Sequence, residues 1–392
     1  MSCNKDTYLV TGGAGFIGST FTELLAGLAG DRRIVVLDKL TYCGNLHNIS
    51  HLIDAGKIEF VRGDIADAEA VGRIVYDLRP TYVVNFAAES HVDRSVQDPG
   101  PFVTTNIDGV YTLLEACRRQ RVGQLNAGEE PTLRRFVQVS TDEVYGDMPV
   151  EAPRRAPEEI CRAAGREVIC YGPRLFTEES GLHASSPYSA SKASADMLAQ
   201  AYHRSFGMPV CITRCSNNYG PRQFPEKLIP LMVNNILHGR ELPVYGDGLN
   251  VRDWIHVADH SRGILAVLER GSDGEVYNFG AYDERTNIDM VKALIGIVRA
   301  EVEADAELAA RYPAALGASE ALIRYVGDRP GHDRRYAIDA RKAADELGWR
   351  PATPFGEGLA ETVRWYMANK KWVDDITGGE YMEYYEKMYA KR

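Results

Sequence analysis

Two neighbouring acids near the middle of the chain, Asp142 and Glu143, are the residues most suited to chemistry. They follow Phe136 to Val139, a short run of β-formers that predicts a strand buried on both faces of a parallel sheet. Residues after such a strand emerge at the carboxyl edge of the sheet, where open α/β folds bind ligands. Unequal burial can leave one acid protonated as a general acid and the other ionised as a base, and a dehydration needs both. A structural interpretation stays open, in which Asp142 caps the next turn and Glu143 is solvated.

A second candidate pair, Tyr188 and Lys192, lies at i,i+4 spacing in a predicted helix from Ser186 to about Phe206, with Pro187 suited to its first turn. The Lys192 ammonium, together with a positively charged nicotinamide, is expected to lower the phenol pKa from about 10 towards neutrality, so that the phenolate acts as a base. With 21 tyrosines in the chain, this spacing alone is weak. Its setting in a dinucleotide-binding fold favours the catalytic interpretation.

A glycine-rich turn separates a predicted strand, Tyr8 to Val10, from a predicted helix that extends to Leu28. The glycines let the backbone approach a pyrophosphate, and the helix N-terminus offers free N–H groups and a favourable dipole. This context predicts a dinucleotide site at Thr11 to Gly18. The alternative is a tight structural turn.

Asp38 ends the next predicted strand, Ile34 to Leu37, at the position from which an acid accepts hydrogen bonds from both hydroxyls of the adenine ribose. Its charge would repel a 2′-phosphate, so the sequence favours NAD over NADP, and Lys39 beside it weakens this preference. A strand-end acid that only faces water is the alternative. Asp64 and Ile65, after the third strand, are expected to flank the adenine, and residues 87–90 to line the nicotinamide half of the cleft.

Strands and helices alternate along the first half of the chain, which predicts an α/β fold with a Rossmann-like, doubly wound parallel sheet. The remaining predicted elements are strands 58–61 and 82–86, helices 68–78 and one ending near Arg119, and strand 209–213, which completes the sheet. Residues 151–183 interrupt the pattern around a short predicted helix at 158–164. For this segment a lid and a surface insertion are equally open.

Beyond residue 220 the pattern becomes irregular, and helices at 288–301, 340–347 and 357–368 predict a smaller, mainly helical C-terminal domain. We therefore predict a dinucleotide-binding domain at 1–220 and a substrate domain at 221–392, with segments such as 250–265 packing back on the first. Turns at 242–248, 252–254 and 328–336 carry Arg, Tyr and His, which suits a phosphorylated, ring-bearing substrate. Solvated surface loops are the alternative.

Composition bounds the class of protein. The chain has 392 residues, 55 acids against 45 bases and a net charge of −10, so nucleic acid is not an expected partner. No run of 18 apolar residues and no apolar leader are found, so neither a membrane partner nor secretion is expected, and we predict a cytoplasmic protein. Seven cysteines without paired short spacing and nine histidines without a cluster predict reduced thiols and no metal.

Together, these motifs resemble those of the extended short-chain dehydrogenase/reductase family, and within it the nucleotide-sugar dehydratases, over nearly the whole chain. The resemblance rests on seven segments: Thr11–Gly18, Ala87–Ser95, Ser140–Gly146, Ser186–Lys192, Cys215–Pro221, Tyr245–His260 and Asp328–Tyr336. It implies a homodimeric, NAD-dependent hydro-lyase that acts on a nucleotide-activated glucose. The resemblance favours a dTDP-sugar, while the sequence itself does not separate thymidine from uridine.

By position, the resemblance implies that Thr141 hydrogen-bonds the sugar, Asp142 is the acid, Glu143 the base, and Tyr188 with Lys192 the redox pair. The residues implied to bind NAD are Gly12, Gly13, Gly15, Phe16, Ile17, Gly18, Asp38, Lys39, Leu40, Thr41, Asp64, Ile65, Phe86, Ala87, Ala88, Glu89, Ser90, Thr105, Tyr188, Lys192 and Asn218. Those implied to hold the nucleotide sugar are Ser90, Thr141, Asn217, Lys227, Leu228, Pro243, Tyr245, Arg252, Asn287, Asp328, Arg329 and His332. The fork of Arg252 suits the pyrophosphate, because it can engage two phosphate oxygens at once.

The implied reaction oxidises C4, eliminates water across C5 and C6 and returns the hydride to C6, giving a 4-keto-6-deoxy sugar. A nucleotide-sugar 4-epimerase or decarboxylase is the rival, since it needs the same Tyr-Lys pair but no loss of water, and the adjacent acids argue against it. An alternative from another class is a catalytically silent NAD-binding regulator, against which intact Thr141, Tyr188 and Lys192 argue.

Overall fold

Short runs rich in β-branched and aromatic residues form the strands of the protein. The computed structural model describes residues 5–377, in which the strands are β1 (Asp6–Thr11), β2 (Arg32–Asp38), β3 (Glu59–Arg62), β4 (Tyr82–Asn85), β5 (Arg135–Thr141), β6 (Arg154–Arg155), β7 (Ile169–Cys170), β8 (Val210–Cys215), β9 (Asn217–Tyr219), β10 (Leu242–Tyr245), β11 (Val251–His256), β12 (Val276–Phe279), β13 (Glu284–Thr286) and β14 (Ile323–Val326).

The α-helices mostly follow stretches with apolar residues at helical spacing. They are α1 (Phe16–Gly27), α2 (Ser50–Asp54), α3 (Ala68–Leu78), α4 (Val92–Gln97), α5 (Gly100–Val103), α6 (Gly109–Asn126), α7 (Glu158–Ala164), α8 (Pro187–Phe206), α9 (Leu228–Leu237), α10 (Val257–Arg270), α11 (Asn287–Ala304), α12 (Ala306–Arg311), α13 (Pro313–Leu316), α14 (Arg341–Leu347), α15 (Phe355–Ala368) and α16 (Lys370–Thr377). Three 3₁₀ helices (Leu46–Asn48, Asp142–Tyr145 and Glu320–Leu322) and a π-helical turn (Thr104–Asp108) connect them.

A seven-stranded parallel sheet in the order β12-β8-β5-β4-β1-β2-β3 positions the site. The chain fills the sheet outward from β1 in both directions, so the order reverses between β1 and β4. Helices α1 and α10 cover one face, and α3, α6 and α8 cover the other. The predicted Rossmann-like α/β fold is confirmed, and its ligand crevice belongs at the reversal point.

A row of polar side chains crosses the interior of this sheet. Thr11 pairs with Asn85 across β1 and β4, and Asn85 pairs with Gln138 across β4 and β5. The Thr11 hydroxyl donates to Asn85 Oδ1, and Asn85 Nδ2 donates to Gln138 Oε1 at 2.8 Å. All three side chains are buried, so each hydrogen bond replaces one to water.

Two predictions about the first domain are wrong: which strand completes the sheet, and where α6 ends. Strand 209–213 does not complete the sheet, because β12 pairs with β8 on its outer side, with Val276 opposite Ile212. Helix α6 continues past Arg119 to Asn126. Its last turns are polar, but Arg and Gln are good helix formers and need no buried face to continue a helix.

The C-terminal part has its own apolar core, to which α9, α11 and α15 contribute. Strands β9, β11 and β13 form a mixed three-stranded sheet, and β10 pairs with β14. The division at residue 220 stays a prediction. Helix α10 packs against α1, and together with β12 it is a later element that lies on the N-terminal sheet.

The segment 151–183 packs beside β12 and β13. Strands β6 and β7 form a small antiparallel pair, and Ile160 of α7 joins the core that contains Tyr282 and Ala343. Arg166 binds Asp283 at 2.8 Å. None of the helices within residues 5–377 is long and apolar enough to span a membrane. Cys3 and residues 378–392 of the predicted second domain lie outside the described part of the chain.

Candidate active site

A cavity opens at the carboxyl edge of the sheet, at the reversal between β1 and β4. Gly12 has φ +68°, and a Cβ there would lie 2.5 Å from the Ala87 nitrogen. A Cβ on Gly18 would lie 2.2 Å from the Gly12 carbonyl oxygen, so glycine is needed at both positions. No side chain caps α1, which begins after Gly15. Its first N–H groups are therefore available to a pyrophosphate.

The carboxylate of Asp38 lies at the end of β2 and is buried. Its Oδ2 accepts a hydrogen bond from the Ala14 nitrogen at 2.9 Å, and its Oδ1 accepts one from the Leu40 nitrogen at 2.8 Å. Lys39 beside it forms an ion pair with Asp64 at 2.6 Å. The Lys39 charge, which weakened the preference for NAD, is therefore partly neutralised by Asp64.

The two acids lie in the 3₁₀ helix that follows β5. Thr141 is the N-cap residue, since its Oγ1 accepts from the Glu143 nitrogen at 3.3 Å, so the interpretation of Asp142 as the cap is wrong. Asp142 is 1% exposed, and its Oδ2 has no hydrogen-bond partner among the described residues. Both acids line the cavity.

Their surroundings separate the two acids electrostatically. Burial raises the pKa of Asp142 well above its usual range, and the charges of Glu143 and Asp253 raise it further. Burial also raises the pKa of Glu143, but Arg329, Lys227 and Arg252 oppose this shift. The arrangement favours Asp142 as the proton donor and Glu143 as the ionised base.

The predicted redox pair lies on α8, whose first turn is fixed by a capping box between Ser186 and Ser189. Tyr188 and Lys192 are both buried and line the cavity. The Lys192 ammonium donates to the Val139 carbonyl at 2.6 Å. Burial raises the pKa of Tyr188 well above 10, and Glu143 adds to the shift, so the predicted lowering by Lys192 does not appear in the protein alone. The positive charge of a bound oxidised nicotinamide would favour the phenolate.

Most predicted cofactor residues line this one cavity: Gly12, Gly15, Phe16, Ile17, Gly18, Asp38, Lys39, Thr41, Asp64, Ile65, Phe86, Ala87, Ala88, Glu89, Ser90, Thr105, Tyr188, Lys192 and Asn218. Gly13 and Leu40 are not among its lining residues. A Cβ on Gly13 would lie 2.7 Å from the Val36 side chain, so this glycine permits close packing on β2.

The predicted sugar-binding residues divide into two groups. Ser90, Thr141, Asn217 and Lys227 line the cavity, whereas Leu228, Pro243, Tyr245, Arg252, Asn287, Asp328, Arg329 and His332 do not. In the second group, Arg329 binds Asp93 at 3.1 Å and Tyr245 donates to the same carboxylate at 3.0 Å.

Arg252 is held by a different set of contacts. It donates to the Asp333 carbonyl at 2.8 Å, and its guanidinium carbon lies 4.2 Å from the centre of the Tyr336 ring. These contacts hold the buried guanidinium in place, and its positive charge lowers the pKa of Glu143.

Further residues line the cavity that the sequence analysis did not assign to it, among them Cys43, Gly44, Val139, Cys215, Gln223, Phe224 and Glu226. Val139 and Cys215 lie near the carboxyl ends of β5 and β8, so the strand-edge argument applied to Asp142 extends to them. Glu226 gives no local signal. It is brought to the site by long-range contacts, with Tyr42 at 2.8 Å and Arg94 at 3.2 Å.

The family model described as "NAD dependent epimerase/dehydratase family" matches residues 8–280. The chain belongs to this family. It is 44% identical over 384 residues to the dTDP-glucose 4,6-dehydratase of Shigella flexneri, covering 98% of this chain and 99% of that protein. It is 46% identical over 376 residues to the dTDP-glucose 4,6-dehydratase of Xanthomonas campestris pv. campestris strain B100, covering 96% and 97%.

The structure is also similar to that of the dTDP-glucose 4,6-dehydratase DesIV from Streptomyces venezuelae, solved with NAD bound. The TM-score is 0.78 at 43% identity, and the match covers 94% of this chain and 99% of that one. Membership of an NAD-dependent family confirms the predicted cofactor. The α1 N-terminus and the Asp38 carboxylate are the groups that fit its pyrophosphate and adenine ribose.

Replacing Asp38 by Asn should narrow the preference for NAD over NADP. The change removes the charge that repels a 2′-phosphate and replaces one acceptor oxygen by an amide donor, so NAD binding should weaken by about tenfold. Titration of the nucleotide-free protein with NAD and NADP measures both affinities. Lys39→Met is the matched control, and it should change their ratio little because Lys39 is paired with Asp64. An unchanged ratio in Asp38→Asn together with a changed one in Lys39→Met would reverse the assignment.

Proposed function

We propose that this protein dehydrates dTDP-glucose to the 4-keto-6-deoxy sugar and uses NAD as a cofactor that ends each cycle oxidised. The observation that carries the proposal is the 3₁₀ helix after β5, which places Asp142 and Glu143 in the same cavity as Tyr188. That cavity also contains the dinucleotide turn. The dehydratases to which the chain is similar over nearly their full length support the choice of sugar nucleotide.

NAD, held by the α1 N-terminus and Asp38, would supply the acceptor for a hydride from C4 of the sugar and the donor for its return to C6. Tyr188, as the phenolate, takes the proton of the C4 hydroxyl. The ketone that results acidifies the C5 hydrogen, which Glu143 removes as a base; when the hydride returns to C6, a proton from solvent reaches C5 through Glu143. Asp142, whose pKa is raised by burial, donates to the C6 hydroxyl as water leaves.

In this scheme Lys192 connects two elements of the protein. Its short hydrogen bond to the Val139 carbonyl ties α8 to β5, next to the turn with the two acids. Lys227 donates to the Ser90 carbonyl at 2.9 Å and lines the cavity, so it places a positive charge beside the segment expected to contact both ligands. Together with Arg252 and Arg329, it favours an anionic substrate such as a sugar diphosphate.

The rival 4-epimerase or decarboxylase uses a Tyr-Lys pair, but it has no use for a second acid that donates to C6. The burial of Asp142 and its unpartnered Oδ2 therefore favour dehydration. A silent NAD-binding regulator would not need the cations around Glu143.

The test is incubation of the purified protein with dTDP-glucose and, separately, with UDP-glucose, with products identified by mass. We expect a product of dTDP-glucose lighter by one water, without net accumulation of NADH and without added reductant. In deuterated water the product should carry deuterium at C5 from the first turnovers. Stoichiometric release of NADH, an epimer of unchanged mass, or no turnover of dTDP-glucose would contradict the proposal.

We also propose that the protein is a homodimer through the exposed face of α6 and α8, which contact each other. Tyr111, Val122 and Leu125 of α6 are 48%, 40% and 53% exposed, and Met197 of α8 is 56% exposed. At 3.6 residues per turn, the three α6 residues fall within about 60° around the helix axis. This stripe, in which the ion pair of Glu115 and Arg118 lies between the apolar residues, suits an isologous interface.

A charge in this stripe should separate the subunits. Leu125→Asp combined with Met197→Asp is expected to reduce the molar mass measured by light scattering from that of two chains to that of one. Tyr76→Asp, on the exposed side of α3, is the control and should leave the mass unchanged. A doubly substituted protein that stays dimeric would exclude this interface.

A cytoplasmic location is likewise a proposal. It is supported by Cys43, Cys117, Cys161, Cys170, Cys211 and Cys215, which are all free thiols.

A further inference from the structure

The turn that carries both acids is enclosed by a segment that the mechanism does not use. Residues 176–183, here called the strap, are the end of the insertion at 151–183. The His183 nitrogen donates to the Val144 carbonyl at 3.0 Å. A Cβ on Gly146, which has φ +85°, would lie 2.3 Å from the His183 carbonyl oxygen. The strap therefore lies in direct backbone contact with the turn.

Tyr145, the last residue of the 3₁₀ helix, is the centre of this contact. It is 1% exposed and stacks on Phe176, with ring centres 5.0 Å apart and an interplanar angle of 17°. Its hydroxyl donates to Asn278 Oδ1 at 2.8 Å and accepts from Arg214 Nη1 at 3.0 Å.

The strap reaches the same asparagine. The Asn278 backbone nitrogen donates to Glu178 Oε1 at 2.8 Å, and Asn278 Nδ2 donates to the Phe176 backbone carbonyl at 3.3 Å. The Phe176 backbone is itself fixed, because its nitrogen donates to Ala337 at 2.9 Å and its carbonyl accepts from Asp339 at 2.8 Å. Phe176 and Asn278, which both contact Tyr145, are therefore held in place by hydrogen bonds of their own.

Through Arg214, Tyr145 is also connected to α8, the helix that carries Tyr188 and Lys192. Arg214 forms a buried ion pair with Asp196 at 2.9 Å, and Asp196 lies one helical turn after Lys192 on α8. The acids and the redox pair are therefore held by different elements that meet at Tyr145. Loss of the Tyr145 hydroxyl removes two contacts of the turn, whereas α8 keeps its capping box and the hydrogen bond from Lys192 to Val139.

We propose that Tyr145, clamped by Phe176 and Asn278, is a positioning residue that holds Asp142 and Glu143 against the sugar during elimination. The inference rests on the proposed function. It gives the insertion a role in the site although none of residues 151–183 lines the cavity. A shift of the acids by about 1 Å costs on the order of 100-fold in rate, so the elimination step is the one exposed to changes in the clamp.

The test compares Tyr145→Phe, which keeps the ring but removes the hydroxyl, with Tyr277→Phe. Tyr277 is a fully buried tyrosine on β12 whose hydroxyl binds Ser272 and Glu346, so the control also loses two hydrogen bonds. Turnover of dTDP-glucose, absorbance of the reduced nicotinamide during turnover, and thermal unfolding are measured for both. If Tyr145→Phe does not fold, Phe176→Leu replaces it, because it removes the stacked ring and keeps the Tyr145 hydroxyl.

We expect Tyr145→Phe to turn over about 10- to 100-fold more slowly than wild type and to accumulate reduced nicotinamide, because oxidation at C4 continues while elimination is impaired. Tyr277→Phe should keep wild-type turnover without that signal. Equal effects in the two variants, or slow turnover of Tyr145→Phe without reduced nicotinamide, would overturn the proposal. Wild-type protein that does not dehydrate dTDP-glucose would instead refute the proposed function.

Discussion

Replacing Glu143 by Gln is expected to slow product formation by roughly 10²- to 10⁴-fold, which is the usual contribution of a positioned general base. Glutamine keeps the size of the side chain and its hydrogen-bonding capacity but cannot take the C5 proton. Oxidation at C4 does not need this carboxylate, so reduced nicotinamide should accumulate on the protein. Absorbance of the reduced nicotinamide after rapid mixing with dTDP-glucose measures the accumulation, and mass analysis measures the product.

Tyr188→Phe is the matched variant for the other half of the site. It removes the hydroxyl that takes the C4 proton, so neither reduced nicotinamide nor product should form. The assignment of roles fails if Glu143→Gln shows neither a signal nor slowed turnover, or if Tyr188→Phe forms reduced nicotinamide normally.

The second large effect concerns stability, at the ion pair between Arg335 and Glu284. The side chains are 1% and 3% exposed, and they meet in two parallel hydrogen bonds of 2.7 and 2.8 Å. Arg335 also donates to the Arg174 carbonyl at 3.0 Å, which ties the insertion to the C-terminal part. Glu284→Gln would leave a buried guanidinium without its counter-charge, so the free energy of unfolding should fall by about 3–5 kcal/mol.

Denaturant unfolding followed by circular dichroism measures the loss. The control is Glu241→Gln, because Glu241 pairs with Arg324 on the surface at 3.3 Å and both side chains are about two-thirds exposed. An exposed pair contributes at most about 1 kcal/mol, so this midpoint should barely move. Equal losses of unfolding free energy in the two variants would show that the buried ion pair contributes no more to stability than the exposed one.

The N-terminal half of the site was predictable because its signals are local. Gly12 to Gly18 must pack a helix start against a strand end, and this need is written in consecutive residues. Asp142 follows its strand directly, so the parallel sheet itself brings it to the cavity. Helix α3 has its predicted bounds, and in the structure the side chain of Asp67 caps its first turn.

What the sequence did not predict depends on contacts between distant residues. Glu226 lines the cavity and contacts Tyr42 and Arg94, which are distant in the sequence, and no local pattern marks it. Strand β12 has four residues and joins the sheet more than 60 positions after β8, so its partner is not visible locally. The prediction for the pKa of Tyr188 considered the charges of Lys192 and the nicotinamide but not burial, which has the largest effect in the folded protein.

The polar row of Thr11, Asn85 and Gln138 has a consequence for how the chain selects one alignment of its strands. Neighbouring strands with only apolar side chains on both faces could slip past each other at a modest loss of packing. A slip of β4 by one residue would leave the buried amide of Asn85 and its two partners without hydrogen bonds, at about 1–3 kcal/mol for each group. The row therefore discriminates against misregistered sheets. Because β1, β4 and β5 lead into Gly12, Phe86 and Asp142, the same row keeps the cofactor turn and the acids at one level.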